Sequence, residues 1–360
     1  MNKLTAACAF ELKDQRSVYI TNKYKDIEIF RNIHGAVSES WLVDRTEHVQ
    51  LPFTSKLLDE NKIPKIDEKF NLDLKQICVD RALELASQDD HIYIMWSGGI
   101  DSTLIMVSFL MAGVNCEQII VVCNQESIKE NPEFYKKFIL DNFKIMSSEL
   151  LMQQMKIGAV NGLIISGEQG DLIFGQDFGS VMFSRYGKDY LKSSASRNAI
   201  VKFFVDSDMT ESAANCWYDI FMGSAHLSPR PIDTVYDFSW WAGFNWRWQW
   251  SLEKVKMRSL HDQKITTFFS SDKFQQWSIT HQQNISKITD FKLSYKQIIC
   301  DYTKDLEYLE KIKIPSATLY YGANSFVALT DSGVRHTAKT FSLMDYYQKN
   351  NFIADWLNSQ

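Results

Sequence analysis

Ser97-Gly98-Gly99-Ile100-Asp101-Ser102 is the stretch of this chain best equipped to hold an anion. It follows the apolar run His91-Ile-Tyr-Ile-Met-Trp96 and leads straight into Thr103-Leu-Ile-Met-Val-Ser-Phe-Leu110. The pattern reads as a buried strand, a tight turn and a helix N-terminus. Two adjacent glycines let backbone N–H groups converge on a ligand with no Cβ in the way. Ser97 and Ser102 add hydroxyl donors, and the helix dipole adds positive partial charge. A phosphate suits such a loop best. The turn lacks the Lys of a Walker loop, and the spacing G-x-G-x-x-G is absent. An ordinary strand–turn–helix corner is the competing reading, but it leaves Asp101 unexplained. A carboxylate in an apolar junction needs a partner, and a Mg²⁺ ion carried by a nucleotide would be one.

A second glycine-rich turn ends a later apolar run: Ser166-Gly167-Glu168-Gln169-Gly170-Asp171-Leu172-Ile173-Phe174-Gly175. If the two strands are neighbours, Asp101 and Asp171 could share one Mg²⁺, each giving a single oxygen, with phosphates and water filling the octahedron.

Ser97–Ser102 resembles the pyrophosphate-binding loop of the N-type ATP pyrophosphatases, the superfamily of the asparagine, GMP and NAD synthetases and several tRNA-modifying enzymes. The second turn resembles Ser-Gly-Glu-Gly-x-Asp-Glu-x-Phe-Gly-Gly of the asparagine and β-lactam synthetases. It departs at Gln169 for a Gly, Gly170 for a small residue, Leu172 for an acidic residue and Gln176 for the last Gly. The resemblance covers residues 75–190 well and the remainder loosely.

By that resemblance, Ser97, Gly98, Gly99, Asp101, Ser102 and Gly167 would bind ATP, with Asp101 and Asp171 on Mg²⁺. Cys123 would lie beside adenine or ribose, although a plain core strand explains it as well. Glu168 matches a position near the reacting substrate, against the simpler reading of a carboxylate at a helix N-terminus. Glu310-Lys311-Ile312-Lys313 best matches the Arg-x-Lys stretch that carries the catalytic Lys, with Lys313 in the Lys position and Lys311 in the Arg position. Both lysines also read as surface residues of a helix end. The implied reaction is an ATP- and Mg²⁺-dependent, AMP-forming carbon–nitrogen ligation through an acyl-adenylate. Asparagine synthetases usually carry an N-terminal glutaminase with an exposed Cys after Met1. Here Asn2 follows Met1 and the first cysteine is Cys8, so no such domain is expected. Nitrogen would come from ammonia, a substrate amine or a separate glutaminase subunit.

The elements that must place these residues have an α/β pattern. Apolar positions at helical spacing from Leu72 to Leu85 predict a helix before the first strand, and Gln118–Cys123 is a short buried strand. Asn131-Pro132-Glu133 opens a helix towards Asn142, and Asn161–Gly167 is a third apolar run. Strands alternating with helices imply a parallel twisted sheet with flanking helices, Rossmann-like, with ligands at the carboxyl ends of the strands. Three regions follow: a small mixed α+β segment at 1–70, with strand patterns at Arg16–Thr21 and Ile27–Phe30; the ATP-binding α/β core at 71–190; and a mainly helical part at 191–360. By the resemblance, that last part would supply the substrate pocket and the catalytic Lys.

With 360 residues, 45% hydrophobic and 23% charged, the chain has ample core, and its net charge of -5 argues against a broad nucleic-acid surface. No membrane-length apolar run and no signal peptide are expected. The six cysteines are widely spaced, which suggests neither zinc nor disulfides and fits a reducing cytoplasm. The seven histidines show no metal spacing. Phe238–Trp250 is unusually aromatic: a base-stacking platform or, more simply, a packed core or subunit interface. Two alternatives accompany the ligase reading: a pyrophosphatase-loop enzyme that adenylates a base in a nucleoside or nucleic acid, and a degenerate ATP-binding scaffold. Association with further copies of the chain is left open.

Overall fold

The computed structural model describes residues 7–10, 43–49, 57–206, 211–249, 251, 263–312, 326–329 and 335–337. The strand patterns at Arg16–Thr21 and Ile27–Phe30 lie outside them. The chain divides into two units. One contains Asp59–Ala195 and Leu227–Ile314; the other contains Met1–Leu58, Ser196–His226 and Pro315–Gln360.

The first unit is built on five strands: β1 (Ile92–Met95), β2 (Ile119–Cys123), β3 (Lys144–Ser147), β4 (Leu163–Ser166) and β5 (Ile265–Thr267). They pair in parallel in the order β3-β2-β1-β4-β5. A parallel sheet is covered on both faces, so its inner strands are apolar throughout: Ile-Tyr-Ile-Met, Ile-Ile-Val-Val-Cys and Leu-Ile-Ile-Ser. Tyr93, Val122, Ile164 and Ile265 pack on one face against Leu151 and Met155 of the helix Ser148–Lys156. Ile92 and Ile94 alternate to the other face and are fully buried.

Helix α1 (Leu74–Ala86) starts at Asp73, whose side chain accepts from the Gln76 N–H. Helix α2 (Ile100–Met111) is buried from Ser102 to Phe109 on every side, which explains its almost unbroken apolar sequence. It packs against α1 and against a later helix, α3 (Leu293–Thr303). Buried Arg81 of α1 donates to the Phe268 and Thr267 carbonyls (3.1 and 3.3 Å), fastening α1 to the end of β5.

The strand order determines where a ligand can sit. From β1 the chain moves outward to β2 and β3, then returns to the other side of β1 for β4 and β5. The connections after β1 and β4 therefore leave in opposite directions, opening a crevice at the carboxyl ends of two adjacent central strands. Both glycine-rich turns lie at that point.

In the second unit, Ala7–Phe10, Phe326–Leu329 and Arg335–Thr337 form an antiparallel sheet in the order first, second, third. Helices Arg197–Val205 and Glu211–Gly223 pack together, with Phe221 stacked between Phe204 (6.1 Å) and Trp217 (5.5 Å). No helix among the described residues is long and apolar enough to cross a membrane.

Candidate functional site

The first turn is organised by its own serines. Ser102 Oγ accepts from the Ser97 N–H (3.1 Å), lies 3.1 Å from Ser97 Oγ and donates to the Gly99 carbonyl (3.2 Å). Gly98 has φ +76°, and a Cβ there would lie 2.3 Å from the Ser127 carbonyl oxygen, so only glycine fits. Gly99 caps α2 without a side-chain hydrogen bond, so no cap side chain covers the first-turn N–H groups. Trp96 anchors the base of the turn by donating its indole N–H to Thr103 Oγ1 (3.3 Å) and stacking near Phe134 and Tyr135.

The second turn meets the first directly. A Cβ on Gly170 would lie 2.5 Å from Asp101 Oδ1, and one on Gly167 would lie 3.4 Å from Asp101 Cβ and from the Ser102 amide nitrogen. Both glycines are therefore close-approach residues that let the Asp101 carboxylate nest against the turn after β4. Gln169 has φ +71°, which explains why a glycine would be comfortable there. Its buried amide compensates: Nε2 donates to the Trp248 carbonyl (3.0 Å), and Oε1 accepts from Thr267 Oγ1 at the end of β5. Leu172 is buried and meets the open face of Gly243, so this departure from an acidic residue serves packing.

Side chains in and around the aromatic block hold this turn from behind. Ser278 Oγ donates to the Ile173 carbonyl, Tyr236 Oη to the Phe174 carbonyl and Ser239 Oγ to the Gly175 carbonyl, each at 2.7 Å. Three successive carbonyls after Asp171 are thus satisfied by side chains, which fixes the end of the short helix Gly170–Ile173. Trp240, Trp241, Trp246 and Trp248 are each 0% exposed, so none of these four rings offers a face for stacking on a base; Trp250 lies outside the described residues. Arg230 covers the Trp240 ring, at 3.7 Å from its centroid.

Asp101 and Asp171 converge on a residue that the sequence did not reveal. Lys292 Nζ forms ion pairs with both carboxylates. The Lys292 side chain is 0% exposed, against 16% for Asp101 and 25% for Asp171. Removing an ammonium from water is costly unless anions receive it, and here two do. Lys292 has φ +58° and immediately precedes α3. A non-glycine residue held there stores about 1–3 kcal/mol of backbone strain, which the surrounding packing must offset. One signal was available: a Lys between Phe291 and Leu293 at a helix N-terminus opposes the helix dipole and calls for an anion.

The remaining candidates are placed differently. Lys311 Nζ donates to the carbonyls of Gly98 (3.1 Å) and Glu130 (3.0 Å) and lies 3.3 Å from the Glu130 carboxylate. It clamps the first turn to the helix Gln125–Glu130 rather than pairing with Asp101 or Asp171. Burial lowers its pKa. Lys313 lies outside the described residues. Cys123 ends β2, on the side of β1 away from β4, and burial pushes its thiol pKa up. Glu168 is half-buried beside the second turn, with its N–H directed to Ser166 Oγ (3.4 Å). Among the described residues, no group of three or more His, Cys, Asp or Glu side chains could hold a metal.

One turn after Lys292, Lys296 is buried and donates to the Thr289 carbonyl (2.6 Å). Burial lowers its pKa to about 8, below the 10.5 of an ordinary Lys. The unfolded chain therefore binds more protons between those values, and the penalty of the buried charge is relieved as pH rises through that window. Urea unfolding of wild type and Lys296→Met is expected to show wild type gaining stability relative to the variant from about pH 8 to about pH 10.5. A constant difference would contradict the assignment.

No protein-family model matches the chain, and no curated protein matches it.

Proposed function

We propose that this chain is an asparagine-synthetase-like, AMP-forming ligase of the N-type ATP pyrophosphatase class, which joins an acid to an amine or ammonia at the expense of ATP. The observation that carries the proposal is the meeting of two glycine turns at the strand crossover, with Asp101 and Asp171 converging on one shared cation. An anion cradle beside paired carboxylates is the arrangement that a metal-bound polyphosphate needs.

The donors fit Mg²⁺. Both are hard carboxylate oxygens that already share a positive charge, and Mg²⁺ takes only one or two carboxylates when phosphates and water complete its shell. Bound there, the ion would supply charge neutralisation for the departing pyrophosphate. The backbone of Ser97–Ser102 and the two serine hydroxyls hold the phosphates in line. A carboxylate oxygen of the substrate then attacks the α-phosphorus, and the bond to pyrophosphate breaks. In the second half, the amine forms the bond to the acyl carbon, AMP leaves, and Glu168 would accept the proton that the amine gives up.

ATP–pyrophosphate exchange tests this reading. Labelled pyrophosphate is expected to enter ATP only in the presence of a cognate acid. Absence of exchange across an acid panel, together with absence of ATP binding, would refute it. Salt-sensitive binding of nucleic acid would move the substrate assignment to a nucleic-acid-borne base.

A further inference from the structure

We propose that Lys292 is a built-in placeholder cation. Its ammonium occupies the meeting point of Asp101 and Asp171 in the free protein, and a divalent ion enters only together with a polyphosphate. The inference deepens the ATP reading above and rests on it for the identity of that anion.

The argument starts from charge. Two carboxylates forced together at adjacent strand ends repel one another, and Lys292 brings the trio to a net single negative charge. A free divalent ion gains little from so small a charge. To reach both oxygens it must also displace an ammonium that cannot retreat to solvent, because Lys292 is fully buried and its backbone is held at a strained φ. A polyphosphate arriving with the metal changes the balance, since its negative charge compensates both cations at once.

A second feature points to an incoming ligand. Tyr295, one helical turn beyond Lys292, is 0% exposed, and its hydroxyl has no hydrogen-bond partner among the described residues. Its ring is wedged edge-on to Phe174 (4.5 Å) and stacked on Phe269 (5.2 Å). Phe269, on which this ring stacks, and Asp101 both crowd the Cβ position of Gly170 (3.0 and 2.5 Å), so a buried donor on this side of the turns suits an oxygen of a hydrated metal or a phosphate.

The test is a titration with Mn²⁺, following the free-ion signal by electron paramagnetic resonance, on the full chain without nucleotide. Lys292→Met is expected to bind Mn²⁺ at least about tenfold more tightly than wild type, a coupling of ordinary size. A non-hydrolysable ATP analogue should close most of that gap by tightening binding to wild type. Equal Mn²⁺ affinities for the two proteins, or no binding to a folded Lys292→Met, would overturn the placeholder. Circular dichroism checks folding, and Lys292→Gln substitutes if the Met variant does not fold. If neither folds, wild type decides: weak Mn²⁺ binding strengthened about tenfold by the analogue supports the proposal, and tight nucleotide-free binding overturns it. Failure of wild type to bind the analogue with or without metal would count against the ATP reading instead, while the comparison with Mn²⁺ alone still judges Lys292.

Discussion

Asp101→Asn is expected to abolish adenylation while leaving the protein folded. The substitution keeps the shape of the side chain but removes one of the two charges that would hold the metal against the phosphates. Metal and charge stabilisation of a phosphoryl oxygen is worth several kcal/mol, so ATP–pyrophosphate exchange should fall at least about a thousandfold. Folding should survive because Lys292 keeps its second partner, Asp171, and is not left as an unpaired buried charge. The checks are exchange activity beside a urea unfolding curve. Exchange within about tenfold of wild type in a folded variant would remove Asp101 from the chemistry.

The second large effect belongs to Gly170→Ala, where two physical rules make opposite predictions. Gly170 opens a short helix and its φ is not positive, so helix propensity alone would make Ala more stable by about 1 kcal/mol. The added Cβ, however, would lie 2.5 Å from Asp101 Oδ1, 2.7 Å from its Cγ and 3.0 Å from Phe269 Cε2. Overpacking of this kind costs about 1–3 kcal/mol and should dominate, because neither Asp101, tied to Lys292, nor buried Phe269 has room to yield. The variant should therefore be less stable in urea and should also lose exchange activity, since the carboxylate is pushed away from its partner. A variant as stable and active as wild type would mean that the two turns do not meet at this atom.

How much of this was visible beforehand depends on how local each feature is. Leu74–Ala86, Ile119–Cys123 and Leu163–Ser166 follow the apolar patterns in Leu72–Leu85, Gln118–Cys123 and Asn161–Gly167, because periodicity records burial over a few consecutive residues. The helix expected from Pro132 towards Asn142 is interrupted: Pro132–Phe134 gives way to a π-helical turn at Tyr135–Ile139. Strand β3 is an edge strand whose Lys144, Ile145 and Ser147 face solvent, so no apolar run advertises it. Strand β5 is too short, at three residues, to show a period. The parallel pairing of β4 with β5 joins segments far apart in the chain and leaves no local trace.

The site divides along the same line. Glycine turns announce themselves because their backbone requirement restricts residue type in place, and both carboxylates came with them. Lys292 did not, since its role depends on two partners far away in sequence. Lys311 was visible as a cation of interest, but its clamp on Gly98 and Glu130 emerges only from the three-dimensional arrangement.

Lys292 stands 191 positions beyond Asp101, and that separation has a consequence for how the protein comes into being. A growing chain that already contains both glycine turns still lacks the ammonium that reconciles their carboxylates. Until α3 docks, the two charges oppose the close approach that Gly167 and Gly170 permit, so the crevice closes late. Contacts so distant in sequence are costly in chain entropy and slow to find. The charge that keeps the two turns together is therefore also a late arrival: the carboxyl end of the sheet gains its bridging ammonium only once the chain has been made as far as Lys292.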